Sequence, residues 1–426
     1  MTSTQSPPRR SRLDNELRAQ LAVPSRLSAG GRGGTGFGTF LASLGGTSRS
    51  VTAKIVSFAV TIAVALIAAL PIVYLSGSNA QVALQALIGG SWGSPQAVAE
   101  TFVQTIPLLI TGLAVALAFH GGIFNIGVEG QLIIGALAAG IVGATQHLPG
   151  SLLLLASLAS GMIAGALWAL IPALLKAYRG VHEVVTTIMM NYIAINISTF
   201  AVTTGGPFAA KTQPSATEKV PLDAQLPVIT PGTRLHAGLF IAIAVIVILM
   251  WVLYRTPAGF RLRLMGANPQ AAAATGISLP RTMITAMLGS GAIAGLAGAV
   301  QVLGVYGRYF DGFSPGYGYS AIAVALLGAL SPVGIAAAAL FFGTLDAGAV
   351  QLQAVAGISR EMVSVVSGLV VAFVAAQPAI FRLLHHLQRT VLAGRTARRA
   401  AAPVLPPPIN GDNDLISAGL DNKEVL

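Results

Sequence analysis

The chain has 426 residues, of which 54% are hydrophobic and only 9% charged, with a mean hydropathy of +0.75. Soluble domains carry roughly 25% charged residues, so most of this chain belongs where charge is costly, and the 49 glycines and 23 prolines suit membrane helices. The absence of cysteine excludes a disulfide framework, a thiolate metal site and a thiol nucleophile, and the composition reads as an all-α polytopic membrane protein.

The net charge of +11 gathers at the flanks. Residues 1–54 carry Arg9, Arg10, Arg12, Arg18, Arg26, Arg32, Arg49 and Lys54 against Asp14 and Glu16. They read as a basic, disordered cytoplasmic tail. Contact with anionic lipid headgroups accounts for that charge without nucleic acid. The first apolar run begins only after Lys54, too late for an ordinary secretory signal.

A helix needs about 20 apolar residues to cross the hydrocarbon. Residues 55–380 hold ten candidates: Ile55–Leu75, Phe102–Phe119, Leu132–Thr145, Leu152–Leu175, Val184–Thr203, Leu239–Tyr254, Met283–Leu303, Ser320–Leu330, Val333–Leu352 and Met362–Ala376. Lys176 and Arg179 mark one cytoplasmic loop, and Arg255, Arg261, Arg263 and Arg281 another. The connections 76–100 and 204–234 fall outside. Ten crossings place both termini in the cytoplasm, and eight full spans with two re-entrant pieces satisfy the same charges. Residues 381–426 are basic, then polar and Pro-rich, and read as a largely disordered second tail.

Between the second and third candidates stands "HGGIFNIGVEGQLIIGALAAG", from His120 to Gly140. A carboxylate and several helix breakers here interrupt an apolar run. Non-helical backbone at membrane depth is tolerated only where protein or water covers it. Asn125 is placed to cap the restarting helix, with Glu129 in its first turn. The same two residues, with Phe124, are equally placed to line a solute path.

"SGMIAG" (Ser160 to Gly165) resembles "SGAIAG" (Ser290 to Gly295). Small residues four apart let helices approach closely, and the two helices would run in opposite directions, as an inverted repeat requires. "GVHEVVTTIMMNYIAINIS", from Gly180, puts Asn191 and Tyr192 inside an apolar helix, as packing groups or ligand contacts. The cytoplasmic stretch "RTPAGFRLRLMGANPQAAAATGISLPRT" predicts a small helix opened by Pro269 and closed by Gly276. Further on, "GVYGRYFDGFSPGYGYSAIAVALLG" clusters Tyr306, Tyr309, Phe310, Phe313, Tyr317 and Tyr319 with Arg308 and Asp311. Aromatics there serve either as interfacial anchors or as a gate or stacking surface for a flat polar ligand, and the two charges are spaced to pair.

Enzyme signatures are missing. There is no G-x-x-x-x-G-K-[ST] loop and no G-x-S-x-G elbow, and the His182-Glu183 pair lacks the second His of H-E-x-x-H because Thr186 stands there. The rival reading is an ion-coupled carrier or channel working without an ATPase, with Glu129 or Asp346 as its proton or ion site.

The motifs "FNIGVEGQLIIGALAA", "GVHEVVTTIMMNYIA", "GFRLRLMGANPQAAAATGIS" and "GFSPGYGYSAIAVALLG", in this order, resemble permease subunits of bacterial ABC importers of the branched-chain amino acid and simple-sugar class, above all the nucleoside type. The resemblance covers roughly residues 55–380. It implies a non-enzymatic inner-membrane subunit without a cofactor, working with a cytoplasmic ATPase, a second homologous permease and an extracytoplasmic substrate-binding lipoprotein. Carried onto this sequence, it makes Gly266, Asn268, Pro269, Ala272 and Gly276 the ATPase-coupling segment. Phe124, Asn125, Glu129, Asn191, Tyr192, Tyr306, Phe313 and Tyr317 become the solute path. Both tails and Asp346 fall outside the pattern.

Overall fold

The computed structural model describes residues 79–145 and 148–357 continuously, with a few isolated positions beyond them. The expected tails and the expected spans Ile55–Leu75 and Met362–Ala376 lie outside these stretches. Among the described residues there is no strand. The helices, in chain order, are α1 (Ala80–Trp92), α2 (Pro95–His120), α3 (Val128–Thr145), α4 (Gly150–Arg179), α5 (Glu183–Val202), α6 (Gly238–Arg255), α7 (Pro257–Ala267), α8 (Pro269–Ala274), α9 (Leu279–Gln301), α10 (Tyr317–Leu327) and α11 (Pro332–Ala356). A π turn, Val302–Tyr306, continues α9.

Six of these helices, α2, α4, α5, α6, α9 with its π turn, and α11, are long and apolar enough to cross a bilayer. α3 and α10 are the shorter apolar ones. All eight candidates that fall on described residues are therefore helical, two of them too short to count among the membrane-length helices. Sequence reading missed α1 and α7. The stretch 76–100, without Lys or Arg, reads in sequence as an outside connection. In space Ala83 and Ala86 of α1 pack with Leu345, Ala349 and Leu352 of α11. α2 also starts earlier than expected, at Pro95. Ser94 caps it by accepting from the Ala97 N–H at 3.1 Å.

α2 is the enclosed member, with 89% of its apolar window buried, whereas α4, α5 and α6 bury 22%, 33% and 28% and form the rim. α9 packs most widely on α4, then on α3 and α2. The α4–α9 contact is backbone on backbone. A Cβ on Gly295 would fall 2.1 Å from the Gly161 oxygen, and one on Gly165 would fall 2.3 Å from the Gly291 oxygen. Numbers rise on one helix as they fall on the other, so the helices are antiparallel and the two like motifs are partners in one contact. Gly135 brings α3 into the same seam, its missing Cβ only 2.3 Å from the Gly295 Cα. Close packing explains the motifs, and their opposed directions are also those of an inverted repeat.

At the end of the bundle away from α7 and α8, residues 203–237 lie as a strap over the end of α9. Backbone N–H groups of Thr217, Val220 and Leu226 donate to the carbonyls of Tyr309, Gly307 and Leu303 at 2.9, 2.8 and 2.9 Å. The strap ends at His236, whose Nδ1 accepts from the Gly238 N–H at 3.1 Å while Nε2 has no partner among the described residues. Burial lowers its pKa to about 4, so the ring is neutral at pH 7.

Candidate functional site

The break between α2 and α3 is held by side chains from four helices. α2 closes on Gly122, which takes a positive φ of 71° that suits glycine, with the Ile123 N–H donating back to Ala118 O at 3.1 Å. The chain then turns inward through residues 123–127. Asn125, fully buried, accepts from the Gly127 N–H at 3.0 Å and donates to Ser290 Oγ at 2.9 Å and Gln131 Oε1 at 3.0 Å. Gln131 returns a bond to Asn125 Oδ1 at 3.2 Å, and the Ser290 hydroxyl donates to Ala114 O at 2.7 Å. Asn125 was expected at the cap of α3. It stands two residues before that position, which Gly127 holds, immediately preceding the helix. Its oxygen nevertheless takes the Gly127 N–H, a free donor at the helix start.

Asn191 does the same from α5. Its Oδ1 accepts from the Gly130 N–H at 2.9 Å, while its Nδ2 donates to Ile126 O at 2.9 Å and lies 3.3 Å from the Tyr319 hydroxyl. Exposed backbone before and inside the first turn of α3 is thus covered by a single amide. Breaking a helix in a region without water requires this, because an unmatched buried N–H or C=O costs about 1–3 kcal/mol.

Glu129 lies in the first turn of α3, as expected, and is 3% exposed. Its carboxylate, however, serves a different helix. Oε2 accepts from the Gly318 N–H of α10 at 2.6 Å and is also bonded to Ser314. Ser314 Oγ in turn accepts from the Gly316 and Tyr317 N–H groups, each at 3.3 Å. Two helix N-termini therefore converge on one buried carboxylate, where both positive dipole ends favour it. Close approach is obligatory: a Cβ on Gly318 would sit 2.4 Å from the Glu129 nitrogen.

The other expected path residues are spread out. Phe124 is half-buried and stacks on Phe119, centroids 4.8 Å apart. Phe313 (4% exposed) packs edge-on with Tyr306, Tyr309 and Phe310, forming the core of its own loop. Burial pushes the Tyr309 phenol up to about 12. Tyr317 is buried with its hydroxyl 3.5 Å from Gln104 Oε1. Arg308 and Asp311 do not pair with each other: Arg308 donates to Gln213, and Asp311 accepts from the Thr199 hydroxyl at 2.8 Å. Glu183 pairs with Lys176 at 2.7 Å across the α4–α5 turn. Tyr192 alone of the expected path residues points outward, 59% exposed. Asn196 shares that face one turn on and donates to Tyr192 O at 2.7 Å.

The segment expected to couple to an ATPase splits in two. Asn268 caps α8, accepting from the Gln270 and Ala271 N–H groups at 3.0 Å each, Pro269 is its first residue, and Gly276 ends it with φ +81°. Asn268, Pro269, Gln270 and residues 273–276 are exposed, while Ala272 turns into the bundle. Gly266, on α7, faces the end of α2: a Cβ there would lie 2.1 Å from His120 O and 2.9 Å from the Gly122 nitrogen. The turn that starts the break thus rests directly on the helix leading into α8.

Sequence reading missed Gln131, Ser290, Gly318 and Tyr319 as members of this cluster. The signal for Gln131 and Ser290 was present, since each is a polar side chain inside an apolar run. Among the described residues no group of three His, Asp or Glu side chains could hold a metal ion. The cluster joins helices; no nucleophile and base stand together in it.

A bundle of membrane-length helices, in which two short helices meet at a buried carboxylate and a small capped helix ends the bundle, defines a multi-pass α-helical membrane protein. The model of the family described as the permease component of branched-chain amino acid transport systems matches residues 97–375, and the chain belongs to that family. It is a transport component and not an enzyme. Among curated relatives, a guanosine ABC transporter permease of Bacillus subtilis is 38% identical over 336 residues, covering 78% of this chain and 95% of that protein. A glucose ABC transporter permease of Haloferax volcanii is 34% identical, covering 64% and 74% of the two chains. A nucleoside ABC transporter permease of Lactococcus lactis is also 34% identical, covering 67% and 80%.

Proposed function

We propose that this chain is the permease subunit of an ATP-driven importer of the bacterial inner membrane, and that with a second, homologous permease it encloses a path for nucleosides or related sugar-containing solutes. The observation that carries the reading is a contrast between surfaces. The exposed side of α4 is aliphatic, as at Leu155, Ile163 and Leu167, and that of α6 is Phe240, Val247, Ile248 and Trp251. The exposed side of α5 instead sets Tyr192 and Asn196 among Met189, Ile193, Ile197 and Phe200. An uncharged amide and a phenol half-way along a membrane helix suit a protein-lined, wet surface better than lipid.

In this reading a cytoplasmic ATPase grips the exposed side of α8, an extracytoplasmic binding protein delivers solute over the strap, and both termini are cytoplasmic. The buried cluster around Asn125, Glu129 and Asn191 positions the wall behind the path. The guanosine, nucleoside and glucose relatives support the substrate class. An ion-coupled carrier built on Glu129 has less support, because that carboxylate is already satisfied by the start of α10. Uptake of labelled guanosine and glucose by cells with and without the chain tests the proposal. Equal uptake of every candidate solute would refute it.

A further inference from the structure

Tyr319 is the one residue that belongs to both the buried cluster and the outward surface. Its hydroxyl lies 3.3 Å from Asn191 Nδ2, the amide that also holds Ile126 O and, through Oδ1, the Gly130 N–H. Its ring is 45% exposed, unlike those of Tyr309 at 1%, Phe313 at 4% and Tyr317 at 5%. The residue stands one position after Gly318, whose N–H is bound by Glu129, so its backbone is pinned in the first turn of α10. Tyr192, which follows Asn191 on α5, is likewise exposed, at 59%. Exposed tyrosines thus stand on both helices, and the one on α10 is joined by its hydroxyl to Asn191, the amide that covers the broken start of α3.

We infer that Tyr319 is a further path-lining residue, a movable aromatic gate whose ring meets the solute and whose hydroxyl follows Asn191 when the segment 123–130 shifts. This rests on the transport reading above and adds a residue and a working part to it. An aromatic face stacks on a nucleobase or on the apolar face of a sugar ring, which fits a flat or ring-shaped solute better than an ion. The hydrogen bond to Asn191 supplies the link: moving residues 126 and 130 moves the amide, and the amide carries the phenol. Without that bond the ring still contacts solute but loses its register with the break.

The chain contains no cysteine, so an introduced thiol is the single one on this subunit and its labelling is read from this subunit's band alone. In the full complex in membranes, the Tyr319→Cys thiol should react with a charged, water-soluble methanethiosulfonate, and saturating guanosine or glucose, whichever is transported, should slow the reaction. A Phe240→Cys thiol on the apolar face of α6 should be inert. Tyr319→Phe should leave KM within about twofold and lower turnover about fivefold, the worth of one ordinary hydrogen bond. Labelling at position 319 no faster than at position 240, in a complex that transports, would overturn the gate while leaving the transport reading intact. If Tyr319→Cys does not assemble, Tyr319→Phe decides alone, and native turnover in that variant overturns the proposal. Absence of transport by the unmodified complex would remove both readings together.

Discussion

Gly295→Ala tests the contact that sets the spacing of the bundle. The added Cβ would lie 2.1 Å from the Gly161 oxygen, more than an ångström inside ordinary contact, and 3.0 Å from the Gly165 Cα, also too close. Both obstacles are backbone, so no rotamer can clear them, and α4 and α9 must separate. Separation also loosens Gly165 against Gly291 and Gly135 against Gly295, which share the seam. Overpacking usually costs about 1–3 kcal/mol, and the rigid neighbours place this case at the upper end. Alanine's better helix propensity returns at most about 1 kcal/mol, leaving a net loss of about 2 kcal/mol. The natural comparison is Gly89→Ala in α1, where an added Cβ meets nothing within 4 Å and only the propensity gain applies. Melting of the detergent-solubilised protein, followed by fluorescence-detected size exclusion, should show Gly295→Ala unfolding several degrees below native and Gly89→Ala at or above it. Equal melting of the two variants would refute the claim that the two backbones touch.

The carboxylate between two helix starts gives a graded expectation: Glu129→Gln keeps an acceptor for the Gly318 N–H, whereas Glu129→Ala orphans it, so alanine should be less stable than glutamine by about 1–3 kcal/mol. Identical melting of the pair would count against the bridge. His236 has its pKa lowered to about 4, against about 6.5 unfolded, so the unfolded chain binds the proton first. Its stabilising contribution is complete above pH 6.5 and is lost as pH falls towards 4, by up to about 3 kcal/mol. His236→Gln should flatten the melting profile over that window, and an unaltered profile would show that other groups govern it. Gly266→Ala forces α7 away from His120 O, so ATP hydrolysis by the reconstituted complex should persist while solute moved per ATP falls; a native ratio would disprove the link.

Much of the architecture could be read from apolar run lengths and breakers, because both are local properties. The capped α8 was legible from Asn268, Pro269 and Gly276 for the same reason. α1 was not, since the purpose of Gly90, approach to Gly348 and Gln351 of α11, exists only in space. Within the site, sequence located the break and its carboxylate but not their partners. Asn125 reaches Ser290, 165 positions away, and Glu129 reaches Gly318 across 189. Nothing near either residue encodes such pairings. The aromatic run near residue 310 misled in the opposite sense: local clustering suggested a surface, and tertiary packing turned Tyr309 and Phe313 inward while leaving Tyr319 half outside.

The meeting of Gly266 with the His120–Gly122 turn has a mechanical side. Packed interfaces usually owe their compliance to side chains, which can switch rotamer, slide or fold aside under load. At Gly266 the contact with His120 O and the Gly122 nitrogen is main chain on main chain, while Leu262 and Met265 of α7 pack beside it against Gly121. A tilt of α7 would therefore meet a stop at Gly266 that no rotamer change can relieve, directly at the turn that starts the break.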